Sequence, residues 1–241
     1  MNTPAMDDAR GAALVLALWA LALLSMMMAV VVGTVRLENR QSAYALQRTR
    51  ALLAAESGLA WVVRDLSSNP PAMIADGRRY QLTIEDAQLS IELQSERGKI
   101  DLNQVSAKDF DQVVRYLGAS PEQGRRLSGE LLARRNAANP PRVVEELQLF
   151  AAMDRRLYAR LAPNMTLWTG LARPDTRLAT APLRAALKLP AAVLESPAGP
   201  IYSAQITSAL TTAVSATLNV TFLLNPQAGG TQLYRVLRWQ E

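Results

Sequence analysis

The chain has 241 residues, with 26 Lys and Arg against 21 Asp and Glu for a formal charge of +5, and it contains neither Cys nor His. Without Cys there is no disulfide, thiolate nucleophile or Cys metal site; without His the usual general base, the Ser-His-Asp arrangement and most transition-metal sites are excluded. A mild basic excess spread along the chain reads as an ordinary solvated surface rather than a nucleic-acid footprint, so a non-enzymatic protein that binds no nucleic acid is expected.

Residues Gly11 to Val35 carry no charge. About 20 apolar residues at 1.5 Å per residue cross a hydrocarbon core of about 30 Å, so this run is long enough to span a bilayer. A secretory signal has a shorter apolar region and a small-residue cleavage site, and nothing after Val35 fits one. The segment reads as a retained transmembrane helix. Arg36, Arg40, Arg48 and Arg50 follow it and Arg10 precedes it. A simple count of these charges places the C-terminal side in the cytoplasm.

The helix is expected to continue past the membrane. Leu46, Leu52/Leu53, Leu59, Val62/Val63 and Leu66 recur at roughly helical spacing, with no Pro until Ser67-Ser68-Asn69-Pro70-Pro71 ends the run. The spacing predicts one helix over residues 12–66, about 80 Å long, whose second half packs one face on a folded domain.

A short hydrophilic leader, Arg10-Gly11, and an apolar helix starting at Ala12-Ala13-Leu14-Val15-Leu16 resemble the type IV pilin and pseudopilin family. The resemblance implies cleavage by a prepilin peptidase between Gly11 and Ala12. It also implies a cytoplasmic N-terminus and a periplasmic soluble domain on a single inner-membrane span, against the charge count. Translation can start at Met1 or Met6. Asp7 and Asp8 depart from the basic leaders usual in the family. Leu16 stands where most members have Glu, which pairs with a neighbour's amino terminus in the apolar filament core; its absence fits a subunit at the filament tip. A plain single-pass anchor is the simpler alternative for these residues.

Tyr80, Leu82 and Ile84, then Leu89, Ile91 and Leu93, alternate with polar residues and predict a β-hairpin turning at Glu85-Asp86-Ala87-Gln88. Ser106 with Asp109 opens a helix through Leu117, closed by Gly118. Ser120-Pro121-Glu122 opens another to about Arg135. A loop at Asn136–Pro141, short helices at Val143–Phe150 and Asp154–Leu161, and a stop at Pro163 complete the helical stretch. Strands are expected at Tyr202–Leu210, Ala216–Leu224 and Leu233–Trp239, with Asn225-Pro226 and Gly229-Gly230 turning between the last two.

Several landmarks in order resemble general secretion pathway protein K, a minor pseudopilin of type II secretion systems. They are Gly98-Lys99-Ile100-Asp101-Leu102-Asn103, Glu145-Glu146-Leu147, Tyr158, Leu161-Ala162-Pro163, Thr166-Leu167-Trp168-Thr169-Gly170 and Leu178-Ala179-Thr180-Ala181-Pro182-Leu183. Ala179 replaces the family's Asn, so a capping amide is lost at that helix start. The resemblance implies an α+β fold: a long N-terminal helix and a pilin-like antiparallel sheet, interrupted by a helical insertion of helix-hairpin-helix (SAM-like) type. The expected divisions are a leader 1–11, a transmembrane helix 12–35, its continuation 36–66, a first β part 67–98, the insertion 99–190 and a second β part 191–241. It further implies I-type and J-type minor pseudopilins as partners in a tip complex. Calcium is a possible cofactor by resemblance, but no dense Asp/Asn run nominates ligands.

Residues Ile100 to Leu147 also look like a helix-hairpin-helix module of the kind that grips DNA phosphates, which makes a membrane-anchored DNA receptor the alternative. Its turn, Leu117-Gly118-Ala119-Ser120-Pro121, has one Gly rather than two. Arg125, Arg126, Arg134 and Arg135 can reach phosphate, or pair with Glu122 and Glu130 on a solvated face. The carboxylate neighbours Glu85/Asp86 and Glu145/Glu146 point to different faces, unlike a catalytic pair.

Overall fold

The computed structural model describes residues 7–190, 198–210, 214–225 and 233–241, with side chains from Val15 onward. The chain divides into two compact units, Met1–Arg50 and Ala51–Glu241. Helix α1, Asp7–Leu66, forms the whole described part of the first unit and the opening of the second. It begins ahead of the expected Ala12; the acidic pair Asp7-Asp8 suits a helix N-terminus, where carboxylates oppose the positive end of the macrodipole.

In the second unit, α1 offers Ala51, Ala55, Leu59, Val62 and Val63 to a core, all at most 2% exposed. Leu59, Val62 and Val63 lie on the expected stripe, whereas Leu46, in the first unit, and Leu53 are 53% and 55% exposed, and Ala51 and Ala55 extend the inner face in the second unit. Small residues let the helix axis approach the sheet. At Gly58 an added Cβ would already lie 3.0 Å from Leu89 Cδ1, and Ser208 on the sheet donates its hydroxyl to the Ala51 carbonyl at 2.5 Å.

The sheet has strands β1 (Asp76–Ile84), β2 (Ala87–Ser95), β5 (Ile201–Leu210), β6 (Ser215–Leu224) and β7 (Tyr234–Gln240), antiparallel in that order. Leu89, Ile91 and Leu93 alternate inward, beside Ile206, Val220 and Phe222 from β5 and β6. The β1–β2 turn is tighter than the expected four residues. Only Glu85 and Asp86 lie outside the strands, with Glu85 at φ +51°, because Ala87 pairs with Ile84 and is buried next to Ala51 and Leu210. Of the turn expected after β6, Asn225 is described and Pro226, Gly229 and Gly230 lie outside the described residues, as do Met1 and Met6.

Between β2 and β5 the chain builds a second core around Phe110, Val113, Leu127, Leu147, Phe150 and Leu183. Helix α2 (Ala107–Tyr116) starts at Ser106, whose hydroxyl accepts from Asp109 N at 3.0 Å. Helix α3 (Pro121–Asn136) starts in a full capping box formed by Ser120 and Gln123. The run expected as a helix at Val143–Phe150 is a 3-10 helix over Val144–Leu149, and α4 covers Arg155–Leu161 behind its cap Asp154. Helix α5 (Ala181–Leu187) does begin after Thr180, without a side-chain cap. The Thr180 hydroxyl instead donates to Asn164 Oδ1 at 2.9 Å, and Ala179 is buried.

One pairing is absent from the sequence reading. Strands β3 (Ile100–Asp101) and β4 (Met165–Thr166) form a parallel pair. The Asp101 carboxylate, 2% exposed, accepts from the backbone N–H of Asn103 at 2.9 Å, Thr169 at 3.0 Å and Gly170 at 2.8 Å. Two motifs far apart in sequence are thereby one structural feature. Next to it, Gly98 is buried so tightly that a Cβ there would sit 2.0 Å from the Leu178 carbonyl oxygen. Because that neighbour is backbone, Gly98→Ala is expected to destabilise the protein by about 3 kcal/mol, read as a lower midpoint in chemical denaturation.

Candidate functional site

Every large apolar side chain from Val15 to Leu37 is exposed, Leu16 at 70%. Nothing in the first unit buries them, and the helix is long and apolar enough to be a single membrane span. Its polar groups are satisfied internally, as an apolar solvent requires. Ser25 Oγ donates to the Leu21 carbonyl at 2.8 Å and Thr34 Oγ1 to that of Val31 at 2.9 Å. Gly11 and Ala12 both lie within α1, and Leu16 stands one turn beyond Ala12 on the same helix.

The α2–α3 turn is closed to phosphate in the manner of a helix-hairpin-helix grip. Gly118 N–H donates to Arg115 O, Ala119 N–H to Val114 O and Ser120 N–H to Gln123 Oε1, so these three amides are already used. Gly118 adopts φ +109°, with the Arg160 guanidinium directly above it. Three of the four arginines nominated for phosphate are engaged within the chain. Arg126 pairs with Glu122 at 2.5 Å, Arg134 pairs with Glu130 and Glu146 at 3.6 Å and lies over the Phe150 ring, and Arg135 donates to Val105 O at 2.6 Å. Sequence reasoning missed Arg160, because a contact between α4 and the turn leaves no local pattern.

A groove of about 710 Å³ separates the polar face of the sheet from the helices. At its floor Glu96 (1% exposed) and Lys99 (8% exposed) form an ion pair at 2.6 Å, with Ser203 bonded to both. Lys99 Nζ donates to Ser203 Oγ at 2.8 Å. Glu145 binds Arg238 and Gln240 on β7, whereas Glu146 turns to Arg134, so the two carboxylates serve different partners. Among the described residues no cluster of three or more Asp, Glu, His or Cys could hold a metal ion.

At the edge of the α2–α3 turn, hydrogen bonds from the Leu157 N–H and the Gln123 amide hold the Asp154 carboxyl below its usual range. A lowered folded-state pKa adds stability that is complete above the unfolded value, about 3.9, and is lost as pH falls through the folded value. Asp154→Asn keeps a capping oxygen but not the charge. It is expected to melt below the wild type at neutral pH and to converge with it in acid, as followed by thermal unfolding across pH.

No family model and no curated protein sequence matches the chain. Its structure is similar to a chain in the crystal structure of the GspK–GspI–GspJ complex from the enterotoxigenic Escherichia coli type 2 secretion system. The TM-score is 0.60 at 13% identity, over 83% of this chain and 98% of that one. At that identity the likeness speaks to the fold alone: a long N-terminal helix, an antiparallel sheet and further helices in an α+β layout shared with that chain.

Proposed function

We propose that this chain is a K-type minor pseudopilin that caps the tip of a type II secretion pseudopilus, together with I- and J-type partners. The observation carrying this reading is one uninterrupted helix, α1, that is fully exposed and apolar at its start and packs on the sheet at its end, in a fold shared with the GspK–GspI–GspJ complex chain. The role is assembly without catalysis. The N-terminus lies in the cytoplasm, the segment 12–35 crosses the inner membrane, and the β parts 67–98 and 191–241 with the insertion 99–190 lie in the periplasm. The insertion widens the subunit beyond what a filament interior accommodates, and Leu16 leaves no carboxylate seeking a subunit above.

Co-expression with an active prepilin peptidase is expected to remove residues 1–11 and methylate Ala12, which intact mass measurement reads directly. A full-length chain in the presence of that peptidase would overturn the reading and leave a plain anchor, with the DNA-receptor alternative next to test. Leu16→Glu is expected to leave the circular dichroism spectrum unchanged while lowering recovery of the tripartite complex and secretion. Normal complex and normal secretion in that variant would count against the tip assignment.

A further inference from the structure

Counted by region, the basic excess is not evenly spread. Residues 99–190 hold 15 Lys and Arg against 9 Asp and Glu, a charge of +6, so the rest of the chain sums to −1. Five of the fifteen cations form ion pairs, as in Arg115 with Asp111 and Arg173 with Asp109, each at 2.9 Å. Arg125, Arg155, Arg156 and Arg160 are exposed and form no ion pair among the described residues, as holds also for others such as Arg142 and Lys188. The first four lie on the neighbouring helices α3 and α4.

The fold gathers unpaired cations from two helices beside the α2–α3 turn, Arg125 on α3 and Arg155, Arg156 and Arg160 on α4. Arg156 and Arg160 are one turn apart on α4 and share a face. The Arg160 guanidinium lies against Gly118, 2.7 Å from where a Cβ would stand. Gln123 donates its amide to Ala152 O at 2.7 Å and Asp154 Oδ2 at 3.2 Å, which sets the first turn of α3 beside the start of α4. Arg115 on α2 and Arg126 on α3 are paired with Asp111 and Glu122 and add no free charge. Asp154 accepts from the Leu157 N–H and the Gln123 amide.

We propose that this patch, centred on Arg156 and Arg160 beside the α2–α3 turn, is a docking surface for an acidic segment of a partner protein. Guanidinium groups match carboxylates in paired hydrogen bonds, and exposed charges of this kind steer encounter and set partner choice. Duplex DNA is the poorer fit. The amides of Gly118, Ala119 and Ser120 are occupied, and interspersed carboxylates oppose a polymer carrying a charge about every 1.7 Å. Discrete carboxylates on a protein can pass between them. The surface goes beyond the pseudopilin role and stands without it.

The test uses the full chain in non-ionic detergent and a short fluorescein-labelled peptide whose glutamates are separated by glycine and serine, with binding read by anisotropy at low and high salt. Arg156→Glu with Arg160→Glu is expected to weaken binding about tenfold. The control Arg40→Glu with Arg235→Glu changes net charge equally and is expected to stay within about twofold. Arg125→Gln with Arg156→Gln, which leaves Arg160 against Gly118 and meets Asp154 only through the unchanged Arg156 backbone, is expected to weaken binding about threefold and covers any folding defect in the first variant. Absence of binding, an equal loss in the control, or tighter binding of duplex DNA that the same arginines govern would each overturn the proposal.

Discussion

One buried carboxylate holds the helical insertion closed. Asp101 takes three backbone N–H donors, one from its own turn and two from Thr169 and Gly170 across the β3–β4 pair. An ionised group in such a place is costly unless its lone pairs are filled, and charge-assisted bonds to fixed backbone fill them strongly. That clamp brings together the two ends of a long loop whose own core, around Phe110 and Leu147, can then pack. The neighbouring Glu96–Lys99 pair and the contact of Gly98 with Leu178 tie the clamped base to the sheet through Ser203.

Helix α1 carries two kinds of surface on one backbone, an exposed apolar stretch followed by a face packed on the sheet. Its early hydroxyls, Ser25 and Thr34, turn back onto their own carbonyls. Further on, the requirement changes from satisfying polar groups to close approach, and Ala51, Ala55 and Gly58 meet the sheet where bulkier residues would hold it off. Hydrophobicity alone does not distinguish these tasks. Side-chain volume does.

What could be read from the sequence was local. The alternation through Leu89, Ile91 and Leu93 located a strand, Ser106 and Ser120 marked helix starts, and the charge-free run to Val35 marked a stretch of helix long and apolar enough to span a membrane. Each is a short-range rule of spacing or capping. Periodicity found Leu59, Val62 and Val63 on the inner face of α1, but it also nominated Leu46 and Leu53, which are exposed, and it overlooked Ala51 and Ala55 because it favours large apolar residues. The β3–β4 pairing, the role of Asp101 and the seat of Arg160 over Gly118 join residues remote in sequence, and no nearby pattern records them. The basic patch escaped for a related reason: charge was summed along the chain, while the fold sorts it by region.

Strands β2 and β5 are direct neighbours, and their register runs without a break to Ser95 opposite Tyr202. The chain therefore leaves the sheet and returns to it at adjoining points, much as it would through a hairpin turn. Nothing in the strand order depends on how many residues are spent between. The sheet works as a socket, and the helical segment is cargo that can grow, shrink or change its surface without altering the register that holds it. Diversification of such a protein is cheapest at that junction, where new surface can be acquired while the helix and sheet stay as they are.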